Sequence, residues 1–220
     1  MRHKREIYLG STILIIATLA FVLGWTNLFT VSSVSVTGSP SADLTKQVLS
    51  ISNIQQGEKL ARIEPRNIAG RLESAGINWV ESVKISRNWI TRKVEIKLNP
   101  RTAIAQSGQS YVDRSGTLFV SPVPITAKLP AINAADQGVR AELISFYLNL
   151  PSYIKMNLSK LNASAFNNYQ IQMANGLRII WGGNTNNALK VKIYKALLAL
   201  PENSKIKLMD LSDPTKPTVK

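Results

Sequence analysis

The chain has 220 residues, 45% of them hydrophobic, and a formal net charge of +14, enough for one large or two small cored domains. It has no cysteine and one histidine, His3. That excludes disulfide frameworks, thiolate metal sites and cysteine nucleophiles, and beyond residue 3 it excludes imidazole ligands and histidine-based triads. No cofactor, metal or catalytic set is expected, and the chemistry left is binding.

Residues 7–29, IYLGSTILIIATLAFVLGWTNLF, hold no charge, and after Glu6 the next charged residue is Asp43. As a helix they reach roughly 35 Å at about 1.5 Å per residue, against a hydrocarbon core of about 30 Å. Trp25 and Phe29 suit the interface at the outer end. The pattern predicts a transmembrane helix over 7–29. Arg2, Lys4 and Arg5 in residues 1–6 mark a cytoplasmic stub and a type II topology, with residues 30–220 extracytoplasmic. The rival reading, a cleaved signal peptide, expects an apolar run of about 7–15 residues and a small-x-small cleavage triplet; neither fits.

The extracytoplasmic part carries 24 Lys/Arg against 12 acids, a net +12. Outside a membrane such a surface suits anionic wall polymers, lipid headgroups or an acidic partner. Topology argues against nucleic acid. The basic residues are scattered singly, which is also how a plain solvated surface reads.

Residues 31–38 (VSSVSVTG) read as a strand that ends at Gly38-Ser39-Pro40. Ser41 caps a helix with Leu44, Val48 and Ile51 on one side, and Pro65 opens a second with Ile68, Leu72 and Ala75. Strands follow at 80–87 and 92–98, the latter alternating Val94, Ile96 and Leu98 with Lys93, Glu95 and Lys97. The order is β-α-α-β-β, with two helices on one face of a three-stranded sheet.

Beyond Pro100 the pattern changes to strands and turns. Residues 109–119 (QSYVDRSGTLF) are a hairpin candidate turning at 113–116, which makes Asp113 a turn former rather than a lone catalytic carboxylate. Residues 136–150 form a helix with Val139, Leu143, Phe146 and Leu150 on one side. Two alternating runs, 169–173 and 177–181, flank Asn175-Gly176, the strongest short-range hairpin signal. A helix over 188–200 is expected to bury Leu189, Ile193, Ala196, Leu197 and Leu200, with Lys190, Lys192 and Lys195 outward. Residues 205–211 read as the last strand, and Pro214 and Pro217 just past it favour a sheet edge.

In that order these segments resemble the FtsQ/DivIB family of bacterial cell-division proteins. The resemblance is carried by VSVTG, the G-x-x-L of 57–60, IEPRNIAGRLES, WVESVKISRNWITRKVEIKLNPRTAIA, V-D-x-x-G, the Asn-Gly hairpin, W-G-G and DLSDPTKP. Trp89-Ile90 stands where relatives commonly have Trp-Pro, and 100–103 reads PRTA rather than Arg-Pro-Ala.

The resemblance implies an α+β chain with a POTRA domain at 30–99 and a β domain at 100–220. It also implies a scaffold of the division septum in the cell membrane. That scaffold would bind FtsB/DivIC-like and FtsL-like single-span partners and help regulate septal peptidoglycan synthesis. Partner contacts are expected at Lys207, Leu208, Asp210, Leu211, Pro217 and Val219 by strand addition. Relatives carry an aromatic near Leu208, so the anchor here is expected either to be weaker or to lie elsewhere, at Tyr169 or Trp181, and Trp79 and Trp89 to form a recruitment face. Two other classes remain: a POTRA-bearing chaperone, which expects a β-barrel downstream, and a wall-modifying enzyme, which expects paired carboxylates or a metal.

Overall fold

The computed structural model describes residues 2–25 and 27–220, with side chains at 10–22 and 28–220. Helix α1 (Arg2–Trp25) is followed by a 3-10 turn at Asn27–Phe29. Among the described residues no helix is long and apolar enough to cross a membrane. The described side chains of α1 cover only 10–22, short of the roughly 20 apolar residues that a span needs. Met1 and Thr26 lie outside the described residues, as do the side chains of the expected stub and of the expected span at 7–9 and 23–27. The chain divides into two units between Pro100 and Arg101.

In the first unit, β1 (Ser33–Thr37), α2 (Ala42–Ser52), α3 (Pro65–Ser74), β2 (Val80–Asn88) and β3 (Lys93–Pro100) follow one another in the expected order. The sheet runs β1-β3-β2, with β1 parallel and β2 antiparallel to β3. Alternation sends Val94, Ile96 and Leu98 into a core with Val48, Leu60, Ile68 and Leu72, while Lys93, Glu95 and Lys97 face water. The Ser41 hydroxyl accepts the Leu44 N–H at the start of α2, and Pro65 occupies the first turn of α3. Gly38 ends β1 at φ +82°, where any Cβ would lie 2.0 Å from the Leu98 carbonyl oxygen, so no larger residue fits.

The second unit carries a nine-stranded sheet. Its first strands are β4 (Ala105–Ser107), β5 (Ser110–Val112), β6 (Leu118–Phe119) and β7 (Ala131–Ala134). After α4 (Gln137–Asn149) and α5 (Ser152–Met156) come β8 (Leu158–Ala163), β9 (Tyr169–Met173) and β10 (Arg178–Gly182). Helix α6 (Asn187–Ala199) then leads to β11 (Leu208–Asp210) and β12 (Thr218–Val219). The strand order is β12-β11-β10-β9-β8-β7-β4-β5-β6. Val139, Leu143, Phe146 and Leu150 of the α4 side are all buried. Phe146 lies between Tyr169 (ring centroids 5.0 Å apart) and Trp181 (5.5 Å), which makes an aromatic centre for the core.

Asp113 shapes the β5–β6 turn. One carboxylate oxygen accepts the Ser115 N–H (2.9 Å), the Ser115 hydroxyl (2.7 Å) and the Thr117 N–H (2.9 Å); the other takes the Arg101 guanidinium. Burial pushes this carboxyl up, but the bonds from Ser115, Thr117 and Arg101 outweigh it and hold the group below its ordinary 3.8. A carboxyl with a depressed folded pKa stabilises the fold fully above the unfolded pKa and loses that contribution as pH falls through the folded one. Asp113→Asn should therefore lower the melting temperature near neutral pH. The gap to wild type should narrow progressively as pH falls below the ordinary carboxylate range, as followed by circular dichroism. A gap that widens in acid would contradict the assignment.

Candidate functional site

The candidate site is the β11–β12 end of the large sheet. Strand β11 lies parallel to β10 with Leu208 opposite Arg178 and Met209 opposite Ile179, a pairing that the α6 crossover permits. The Arg178 N–H donates to the Lys207 carbonyl (3.0 Å) and the Leu211 N–H to that of Ile180 (2.8 Å). The expected terminal strand over 205–211 shortens to three residues, and it is not the edge. The chain turns back, and β12 pairs antiparallel with it, Met209 opposite Val219 and Asp210 opposite Thr218. Leu208 and Lys220 exchange both backbone bonds (3.0 and 2.9 Å), and the Lys207 N–H also donates to the Lys220 carbonyl (2.7 Å).

Two aspartates build the return. The Asp210 carboxylate accepts the Ser212 N–H (2.9 Å) and hydroxyl (2.6 Å), and Asp213 does the same for Thr215 (2.9 and 2.7 Å). The Thr215 bonds hold the Asp213 carboxyl below its ordinary value. Gly182 makes room where the return passes the end of β10. It sits at φ +70°, and a Cβ there would lie 2.9 Å from Ser212 Cα.

The expected partner-binding residues separate by exposure. Lys207 and Pro217 are exposed; Leu208, Asp210 and Val219 are half-buried; Leu211 is fully buried. Met209 and Val219 face the core, which places Leu208 and Asp210 on the other side of the sheet.

Tyr169 and Trp181 have no exposed surface. The Tyr169 hydroxyl donates to Glu142 (3.0 Å), and burial, then Glu142, push its pKa up to about 12. The Trp181 Nε1–H donates to Asn187 (2.9 Å). Both therefore hold the interior and cannot replace the missing aromatic at Leu208. In the first unit Trp79 is likewise buried, while Trp89 is half-buried at the β2–β3 turn. Among the described residues no group of three His, Cys, Asp or Glu could hold a metal.

Lys190 is the residue that sequence reasoning placed on the wrong side of its helix. It is 1% exposed, and its Nζ donates to the carbonyls of Trp181 (2.7 Å) and Gly183 (3.0 Å). Burial lowers its pKa and the nearby Asp210 charge pulls it back up. The buried face of α6 is Lys190 and Tyr194, flanked by Val191 and by the expected Ile193 and Leu197, while Leu189 (45% exposed), Ala196 and Leu200 (42%) turn to water.

The family model for "Cell division protein FtsQ/DivIB, C-terminal" matches residues 103–212, half of the chain. That for "POTRA domain, FtsQ-type" matches 29–101. No curated protein matches the chain.

The rotation of α6 is open to a direct test by thermal unfolding. Lys190→Ala, which leaves two carbonyls without their donor and opens a cavity, should cost about 2–4 kcal/mol. Leu189→Lys should stay within about 0.5 kcal/mol of wild type. The reverse ranking would restore the leucine stripe as the buried face.

Proposed function

Because the chain belongs to the FtsQ/DivIB family of cell-division proteins, we propose that it is a scaffold of the division-site complex whose second unit captures a partner strand at β12. The partners are single-span division proteins of the FtsB/DivIC and FtsL kind, and their assembly helps to regulate septal peptidoglycan synthesis. The role is one of binding rather than catalysis. Residues 7–29 anchor the chain in the cell membrane with the amino end inside, and the POTRA unit, with Trp89, serves recruitment.

One observation carries the proposed site: the sheet ends on β12, on whose outer side no strand is paired among the described residues. Leu208 and Lys220 form a doubly hydrogen-bonded pair, so Met209 and Val219 form the alternate, unbonded kind. In that arrangement the Val219 N–H and C=O point away from β11, ready to join an incoming strand. Pro217 offers a carbonyl but no N–H. The partner strand is thus registered on Val219, by main-chain pairing that needs no aromatic at Leu208. Lys205, Lys207, Lys216 and Lys220 are all exposed around this edge, and they favour an acidic segment whose affinity falls with salt.

Val219→Pro removes the outward N–H and leaves every bond to β11 in place, since the Val219 N–H makes none. The variant should melt within a few degrees of wild type while affinity for the FtsB-like partner drops about tenfold or more, the worth of roughly 1.4 kcal/mol. Undiminished capture would eliminate this edge as the site. For the anchor, Ser212→Cys in this cysteine-free chain should react with a membrane-impermeant maleimide in intact spheroplasts; reaction only after lysis would reverse the topology.

A further inference from the structure

We propose that the β2–β3 turn, together with Leu28 and Phe29, is a foot that seats Trp89 and Ile90 in the headgroup layer of an anionic bilayer. This rests on the proposed anchor, because the surface in question lies where the chain leaves α1.

Ile90 is 94% exposed, well above the next large hydrophobic side chain among the described residues, Met156 at 75%. A loose loop could shelter such a residue, but this turn is fixed. The Asn88 carboxamide oxygen accepts the Ile90 N–H (3.0 Å) and the Thr91 N–H (2.9 Å), and Arg92 completes the turn at φ +55°. Trp89 is held edge-on by Phe29, with centroids 5.9 Å apart, and is covered by the Arg87 guanidinium at 5.7 Å. Arg87 is itself secured by bonds to the Leu60 (3.2 Å) and Ile63 (2.8 Å) carbonyls.

The turn is also tied to the segment that follows α1. The Ser32 N–H donates to the Arg92 carbonyl (2.8 Å), and the Ser32 hydroxyl reaches the Thr91 (3.0 Å) and Arg92 (2.9 Å) carbonyls. Leu28, 63% exposed, stands beside Phe29 in the same short stretch. The turn that carries Trp89 and Ile90 is therefore fastened to Phe29 and Ser32, in the stretch that also bears the exposed Leu28.

The charge around them is predominantly positive, with Glu95 the acid that lines the same hollow as Trp89, Ile90, Arg87 and Lys93. Residues 82–94 contain Lys84, Arg87, Arg92 and Lys93 and no acid, and Lys84, Arg92 and Lys93 are exposed. An aromatic and an aliphatic tip ringed by cations fits a lipid surface, where tryptophan favours the interface and each nearby cation gains from anionic headgroups. A protein partner is the competing occupant, and the following experiment separates the two.

The full-length chain, cysteine-free by nature, is reconstituted in phosphatidylethanolamine–phosphatidylglycerol nanodiscs with an environment-sensitive fluorophore at Ile90→Cys, Ile16→Cys or Thr37→Cys. Shallow spin-labelled lipids should quench the probe at 90 at least about threefold more than at 37, and deep ones should quench the probe at 16. Adding Arg92→Glu and Lys93→Glu should cut quenching at 90 by about twofold or more, as should replacement of the lipids by neutral phosphatidylcholine. Quenching at 16 without quenching at 90 overturns the foot and leaves the anchor standing; no quenching at 16 overturns both. A blue-shifted but unquenched probe at 90 means that protein covers the tip, and it also overturns the proposal. Quenching at 90 that is equal in neutral lipid overturns the assignment to an anionic surface.

Discussion

The carboxy-terminal half of the second unit depends on where the Lys190 ammonium sits. Held inside, it ties α6 to the two carbonyls at the end of β10, and this sets the rotation of the whole helix. A buried cation is tolerated only where acceptors converge on it, and the β10 end supplies them with Asp210 close by. The consequence passes outward in order. With β10 fixed, Gly182 can meet Ser212, β11 can lie parallel to β10, and the return can lay β12 along β11.

Most of the framework was legible in the sequence because strong local signals agreed with tertiary demand. Ser41 and Pro65 began the helices they were expected to begin, and the Asn175-Gly176 hairpin and the alternation in β3 came out in the expected register. The failures have separate causes. On α6 the apolar count favoured a leucine stripe, but a lysine with two fixed acceptors outcompeted it for the interior, which no periodicity can announce. At the site, β12 is two residues after a proline, too short to alternate. Tyr169 and Trp181 were considered as anchors because Leu208 is aliphatic where relatives carry an aromatic, whereas here they fill the core beside Phe146.

The two units use their aromatic residues in opposite ways. In the second, Phe146, Tyr169 and Trp181 are sealed inside and every polar atom among them has a partner: Tyr169 has Glu142 and Trp181 has Asn187. In the first, Trp79 is buried but Trp89 and Phe29 remain at the rim, against a turn that ends in a bare isoleucine. The difference is one between packing that holds a scaffold together and packing that presents it.

Both ends of the nine-stranded sheet are two-residue strands, Leu118–Phe119 at one side and Thr218–Val219 at the other. A long bare edge would recruit any extended chain, including another copy of itself, and would invite fibrils. An edge this short gives a stray strand too few backbone bonds to stay. Those few bonds set the register of a partner strand, and the exposed lysines around the edge add the residence that a stray strand lacks, so brevity acts as a filter that separates a cognate segment from the many unfolded ones passing by.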